Sequence, residues 1–236
     1  MTRICTICAR AGSKGVPGKN IKEVAGLPLI AWSLNQARES ALFDTIAVSS
    51  DSAEILEIAN RYGAGLLVRR PEAMATDTAG KMDAIHHCAV AAERGLGRQA
   101  VTIVDLDATS PLRLVDDIVA VVQLLESTDS CSVITGAMAR RSPYFNLVEI
   151  NETGYVEMSK QAPSPIMRRQ DSPQCFDMNA SIYAWDRDAL MSTPRVFYDT
   201  TRLYEMPDTR SIDIDSELDL AMVEYLFRQR HGESAA

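Results

Sequence analysis

The sequence has no run of roughly 18 apolar residues, the length that crosses a bilayer, and its opening "MTRICTICARAG" lacks an apolar core of signal-peptide length before its charges. Those absences predict a soluble, cytoplasmic protein with no membrane partner. Histidine is scarce too: His86 and His87 are adjacent and cannot share a helix face, and His231 lies in the tail, so a histidine-based nucleophilic triad has no support. The cysteines are Cys5, Cys8, Cys88, Cys131 and Cys175, an odd and scattered set that excludes a secreted disulfide framework. Cys5 and Cys8 spell C-x-x-C, but they lie in an apolar strand pattern and point to opposite faces, so reduced thiols are expected rather than a redox or metal pair. Nor is there a clustered basic face. The formal net charge is -8 and the lysines and arginines are dispersed, which argues against a nucleic-acid partner.

What is present is ordinary globular composition, 46% hydrophobic and 24% charged over 236 residues, enough for one sizeable core. Short β-rich runs alternate with helical patterns: "ICTICA" then "PLIAWSLNQARES", "TIAVSS" then "SAEILEIANRYG", "GLLVRR" then a helix over about 81–93, "AVTIVDLD" then "LVDDIVAVVQLLES". The strands are continuous apolar runs, which predicts a sheet covered by helices on both faces. Right-handed crossovers then align the loops that follow each strand along one edge, where open α/β sheets bind ligands. Beyond Ser130 the texture changes. "YFNLVEINETGYVEMSK" reads as an antiparallel hairpin about Asn151 to Gly154, followed by a proline-punctuated stretch, the strand "NASIYAW", a short helix near Arg187 to Met191, and a last amphipathic helix from about Ser216 to Arg230. The expectation is a single domain over 1–236 with an excursion inserted at about 138–178.

Three constellations carry chemistry. After the first strand, "RAGSKGVPGKN" places Arg10, Lys14 and Lys19 around Gly12, Gly15 and Gly18, so backbone N–H groups and fixed cations can surround one polyanion. A nucleoside triphosphate is such a ligand. The loop is neither a Walker A sequence nor G-x-G-x-x-G, and a solvated turn with incidental lysines is the competing reading. In "SIDIDSELDL", Asp213 and Asp215 fall on one face of an extended segment, a hard oxygen pair suited to Mg²⁺. Helix capping accounts for Ser216, Glu217 and Asp219 but leaves Asp213 without a task. In "LDATSPLR", Asp107 sits at the ligand edge, an ordinary turn residue or a site residue, and Arg113 reads as a surface residue of the next helix's first turn. The pairs Arg140-Arg141 and Arg168-Arg169 in the excursion could hold a carboxylate or face solvent.

Taken in order, "ICARAGSKGVPGKNI", "RPEAMATDTA", "LDATSPLR", "YFNL", "NASIYAW" and "SIDIDSELDL" cover nearly the whole chain and resemble the acylneuraminate cytidylyltransferases, the enzymes that make CMP-activated sialic acids. Within them, "CTICARAGSKGV", "DLDATSPLR", "ARRSPYFNLVEI" and "CFDMNASIY" look most like the bacterial enzymes that activate legionaminic acid. The resemblance implies a Rossmann-like, mostly parallel α/β domain that binds CTP, and a hairpin extension swapped across a homodimer. It implies that Arg10, Lys14 and Lys19 act on the triphosphate, with Ala11, Gly12, Asn20, Arg70 and Asp77 holding the nucleotide. It further implies that Asp213 and Asp215 bind Mg²⁺ and that Asp107, Arg169, Phe176 and Asn179 line the site of a nine-carbon sugar acid. Sialic acid synthetases carry Gln in "LQPTSPLR" where this chain has Asp107, so a different sugar contact is expected here. Transfer to 3-deoxy-manno-octulosonate or N-acetylneuraminate, and noncatalytic nucleotide binding on the same fold, are the alternatives.

Overall fold

A computed structural model describes residues 1–231 apart from 13, 14, 77, 78, 163 and 165. The first half builds one α/β layer system from strands β1 (Arg3–Cys8), β2 (Glu23–Val24) and β3 (Leu27–Pro28), helix α1 (Leu29–Glu39), β4 (Thr45–Ser50), α2 (Ala53–Arg61), β5 (Leu66–Arg69), α3 (Lys81–Leu96), β6 (Thr102–Leu106) and α4 (Val115–Glu126). The second half adds β7 (Ser132–Met138), the hairpin β8 (Val148–Ile150) and β9 (Val156–Met158), β10 (Phe176–Asp186), α5 (Arg187–Ser192), β11 (Arg202–Glu205) and α6 (Glu217–His231).

Seven strands form one sheet in the order β11-β7-β10-β6-β1-β4-β5. All pairings are parallel except those of β10, which runs against both β6 and β7. The apolar runs explain the central position of β1 and β6. Cys5 and Ile7 face one side with Ile30 and Leu34 of α1 and Ile118 and Val122 of α4, while Ile4 and Ile103 face the other with Ile85 and Ala89 of α3. Opposite faces for Cys5 and Cys8 follow from the same alternation, and all five cysteines are free.

Two features aim this scaffold at one edge. Strands β1, β4 and β6 end together, so the loops after Cys8, Ser50 and Leu106 open on the same side of the sheet. A third small core then ties the two ends of the sequence together: Val16 of the glycine-rich loop is buried with Leu112, Ile214 and, from α6, Leu220, Val223 and Phe227. Helix α6 starts where expected. Asp219 accepts from the Ser216 N–H at 2.8 Å and its own N–H donates to the Ser216 hydroxyl at 3.3 Å, a reciprocal capping box.

The middle of β10 departs from regularity. Its pairing with β7 shifts register between Met178 and Tyr183, where Ala180 takes a left-handed φ of 52°. A bulge there turns the Ser181 carbonyl toward the loop after β6, and the Asp107 N–H donates to it at 3.1 Å. The segment between β7 and β10 carries the β8–β9 hairpin as a separate two-stranded sheet, with Ile150, Tyr155 and Val156 exposed.

Candidate nucleotide site at the strand ends

A cavity of about 400 Å³ opens at this edge. Its walls include Arg10, Gly12, Gly15, Lys19 and Asn20 from the loop after β1, and Asp213 and Asp215 from the segment before α6. The two distant constellations therefore meet. The Lys19 ammonium donates to the Ile214 carbonyl at 2.6 Å and to Asp215 Oδ1 at 2.9 Å. Gly15 lies so close to that segment that a Cβ on it would stand 1.8 Å from the Asp215 carbonyl oxygen. Only glycine permits this approach.

The loop is braced from behind. Asn20, almost fully buried, donates from Nδ2 to the Arg10 carbonyl at 2.9 Å, and the Ala11 N–H donates to Asp51 Oδ1 at the same distance. Arg10 reaches across to donate to the Thr76 carbonyl at 3.0 Å. On the far wall Arg70, also buried, donates to Ser49 Oγ at 3.1 Å and to the Ser49 carbonyl at 3.0 Å. Lys14 and Asp77, both expected here, lie outside the described residues.

The floor carries a chain of charged groups. Asp107 Oδ1 accepts from the Thr109 N–H at 2.9 Å and from the Thr109 hydroxyl at 2.7 Å, and Oδ2 accepts from Lys81 at 2.5 Å. Thr109 Oγ1 also contacts Asp213 Oδ1 closely. One hydroxyl proton cannot serve two carboxylates, so the second contact calls for a proton on an acid. Of the two acids Asp213 holds a proton more readily: burial, then the charge of Asp107, pushes its carboxyl up to about 6. For Asp107 the effect of burial is outweighed by the charge and hydrogen bond of Lys81 and by Thr109, and its carboxyl is held well below the usual range. Asp105, at the end of β6, is fully buried. Its Oδ1 accepts from Thr6 at 2.8 Å, whereas Oδ2 has no hydrogen bond and faces the Lys81 ammonium at 3.5 Å.

Sequence reasoning misplaced Arg113, which is a core residue and not a surface one. It is 1% exposed, and its guanidinium donates to Gln36 Oε1 at 3.0 Å, to the Ser181 carbonyl at 2.6 Å, and closely to Ser33 Oγ and the Asp107 carbonyl. Burial lowers its pKa to about 10. It thus ties α1, the Asp107 turn and the β10 bulge into one unit. Lys81 and Asp105 carried no signal beyond their residue type. A lone lysine opening a helix and a lone acid in a strand belong to no motif.

Of the residues expected to hold a sugar, Asp107 alone lines this cavity. Arg169 donates to the Ala139 carbonyl at 2.8 Å and borders a separate cavity of about 390 Å³ beside Arg141 and Cys175. Phe176 pairs with Met138 in the sheet. Asn179 is buried and spent on the fold, since it accepts from Thr135 Oγ1 at 2.6 Å and donates to Ser211 Oγ at 2.9 Å, two residues before Asp213.

Asp213 and Asp215 supply hard oxygen donors, and no group of three or more His, Cys, Asp or Glu side chains among the described residues is arranged to hold a metal ion. That donor set fits Mg²⁺, which binds through one or two carboxylates and takes its remaining ligands from water and substrate phosphates.

The fold is shared with solved nucleotidyltransferases. A CMP:2-keto-3-deoxy-manno-octonic acid synthetase complexed with CTP superposes with a TM-score of 0.70 over 98% of this chain and 100% of that one, at 18% identity. The chain belongs to the cytidylyltransferase family, whose sequence profile matches residues 4–233. It is 42% identical to the CMP-N,N'-diacetyllegionaminic acid synthase of Campylobacter jejuni over 94% of both chains. It is 41% identical to the post-translational flagellin modification protein B of Campylobacter coli, over 97% of this chain and 96% of the relative. No helix among the described residues is long and apolar enough to cross a membrane.

Proposed function

We propose that the protein transfers CMP from CTP to the anomeric hydroxyl of a nonulosonic acid, legionaminic acid or a related sialic acid, with release of pyrophosphate. The observation that carries this reading is the convergence of the glycine-rich loop on Asp215, because it brings loop cations and two carboxylates to one cavity. The hydroxyl oxygen forms a bond to the α-phosphorus, the bond from that phosphorus to the β-phosphate oxygen breaks, and the hydroxyl proton is released. No covalent enzyme intermediate is required. Transfers of this kind are promoted by positioning and by neutralising charge as it develops. Arg10, Lys14 and Lys19 would do so along the triphosphate, with Ala11, Gly12, Asn20, Arg70 and Asp77 fixing the nucleotide. Asp213 and Asp215 would hold Mg²⁺, which supplies Lewis-acid stabilisation to phosphate oxygens.

The sugar acid would lie against Asp107, and a homodimer would complete its site. The hairpin supports this, for Ile150 is 75% exposed and Val156 65%, apolar side chains on a two-stranded ribbon that one chain leaves uncovered. Arg169 borders a cavity on the same extension, from which a swapped hairpin would bring it to the other subunit's site.

Incubation with CTP, Mg²⁺ and a mixture of nonulosonic acids, followed by mass spectrometry, should yield a CMP-sugar. Lys19→Ala and Asp215→Ala should each abolish pyrophosphate release while keeping the fold, and near-normal release by both would remove the assignment. Product formed only from 3-deoxy-manno-octulosonate would change the acceptor. Tight CTP binding without turnover on any acid would favour a nucleotide sensor.

A further inference from the structure

Lys81 is an expensive residue where it stands. It opens the 16-residue helix α3, where the aligned peptide dipoles disfavour a cation, and it faces Asp105, a carboxylate with no exposure at all. Asp105 is the one acidic side chain among the buried positions of the described strands. Three groups surround the ammonium: Asp107 Oδ2 at 2.5 Å, Asp105 Oδ2 at 3.5 Å and the Tyr183 ring centroid at 4.9 Å. Its side chain is still 37% exposed, through the cavity it lines. An ammonium has three N–H donors, of which Asp107 takes one and Asp105 attracts a second, so a third remains for a ligand in the cavity beside the Tyr183 ring. Asp107 is similarly placed. Its Oδ1 is fully used by the two donors of Thr109, and Oδ2 keeps one acceptor site beside Lys81.

We propose that Lys81 determines acceptor specificity: with Asp107 it forms a side-by-side donor and acceptor that together bind a single hydroxyl of the sugar acid. This inference rests on the cytidylyltransferase reading above. A hydroxyl fits because its one oxygen accepts from Lys81 while its proton goes to Asp107. Asp105 acts behind the pair as a positioning residue, since its buried charge holds the ammonium on this side of the cavity. Lys81 does not contact Lys19, Asp213 or Asp215 among the contacts of the cavity, so the triphosphate end is left to the loop.

The test is steady-state kinetics of wild type, Lys81→Met, Asp107→Asn and the double variant, with CTP and with N-acetylneuraminate and N,N'-diacetyllegionaminate as acceptors. Lys81→Met should raise the KM for the preferred acid at least tenfold while the KM for CTP stays within twofold. The double variant should be no worse than the poorer single one, because the two groups bind one hydroxyl. Equal rises in both KM values, or an unchanged acceptor KM, would overturn the proposal. If Lys81→Met does not fold, Lys81→Leu, which likewise removes every N–H donor, takes its place with the same two readings. Wild-type protein that turns over none of the acids with CTP would overturn the parent reading and this one together, whereas an active wild type with indifferent variants overturns only this one.

Discussion

Gly15 and Asp215 stand in contact across 200 positions of sequence, with the Asp215 carbonyl oxygen filling the place a Gly15 side chain would take. Gly12, in the same loop, has nothing within 4 Å of that place. Gly15→Ala should therefore push the loop and the Asp215 segment apart, and a displacement on the ångström scale lowers kcat/KM by about a hundredfold. Gly12→Ala should leave the fold and its melting temperature close to wild type. Parallel rate measurements, with thermal melting as a check on folding, decide the contrast.

The metal-free protein should lose stability as pH rises through the range set by Asp213. Its carboxyl titrates at about 6 in the folded chain and at about 4 when unfolded, so between those values the folded state binds more protons. Raising the pH across that window favours the unfolded chain, and the deficit is complete above about 6. Asp213→Asn should flatten this slope in denaturant titrations. At pH 7.5, Mg²⁺ with CTP should raise the melting temperature of wild type but not of that variant.

Arg113→Ala should be strongly destabilising. It strands the buried Gln36 side-chain oxygen and leaves the carbonyls of Ser181 and Asp107 with one donor each, the Asp107 N–H and the Ser33 hydroxyl. One unsatisfied buried acceptor costs about 1–3 kcal/mol, and the volume emptied by a fully buried side chain adds to that, so a loss of roughly 3 kcal/mol is expected. Urea unfolding should show a lower midpoint with an unchanged slope.

Charges on the hairpin should separate subunits. Ile150→Asp with Val156→Asp leaves the sheet of seven strands untouched, since β8 and β9 pair only with each other. Light scattering should give a monomer, and turnover should fall with it. A variant that remains dimeric and active would exclude the hairpin as the interface.

Much of this architecture was legible because particular residues have few uses. Continuous apolar runs made β1, β4 and β6 buried strands, and Ser216 with Asp219 marked the start of α6. The glycine loop and the paired aspartates stood out by residue type, the loop as a candidate anion cradle and the acids as a candidate Mg²⁺ pair, and the fold brings both to one cavity. Strand order was not, because the reversed direction of β10 depends on which neighbours it meets in space. Arg113 was misread for a similar reason. A cation in a helix's first turn is ordinarily solvated, and only the β10 bulge and α1 together supply enough acceptors to bury it. Asn179 stands apart from the lining of the 400 Å³ cavity for the same cause, its amide being engaged by Thr135 and Ser211.

The small core that joins Val16 to Ile214 and α6 has a consequence for biosynthesis. In a growing polypeptide the loop emerges long before the acidic segment leaves the ribosome. Until residue 215 has been threaded out, Lys19 lacks its carboxylate partner and Val16 lacks its cover. Capture of a nucleotide by the loop would wait until residue 215 has emerged, and a fragment released before that point should be unable to sequester nucleotide.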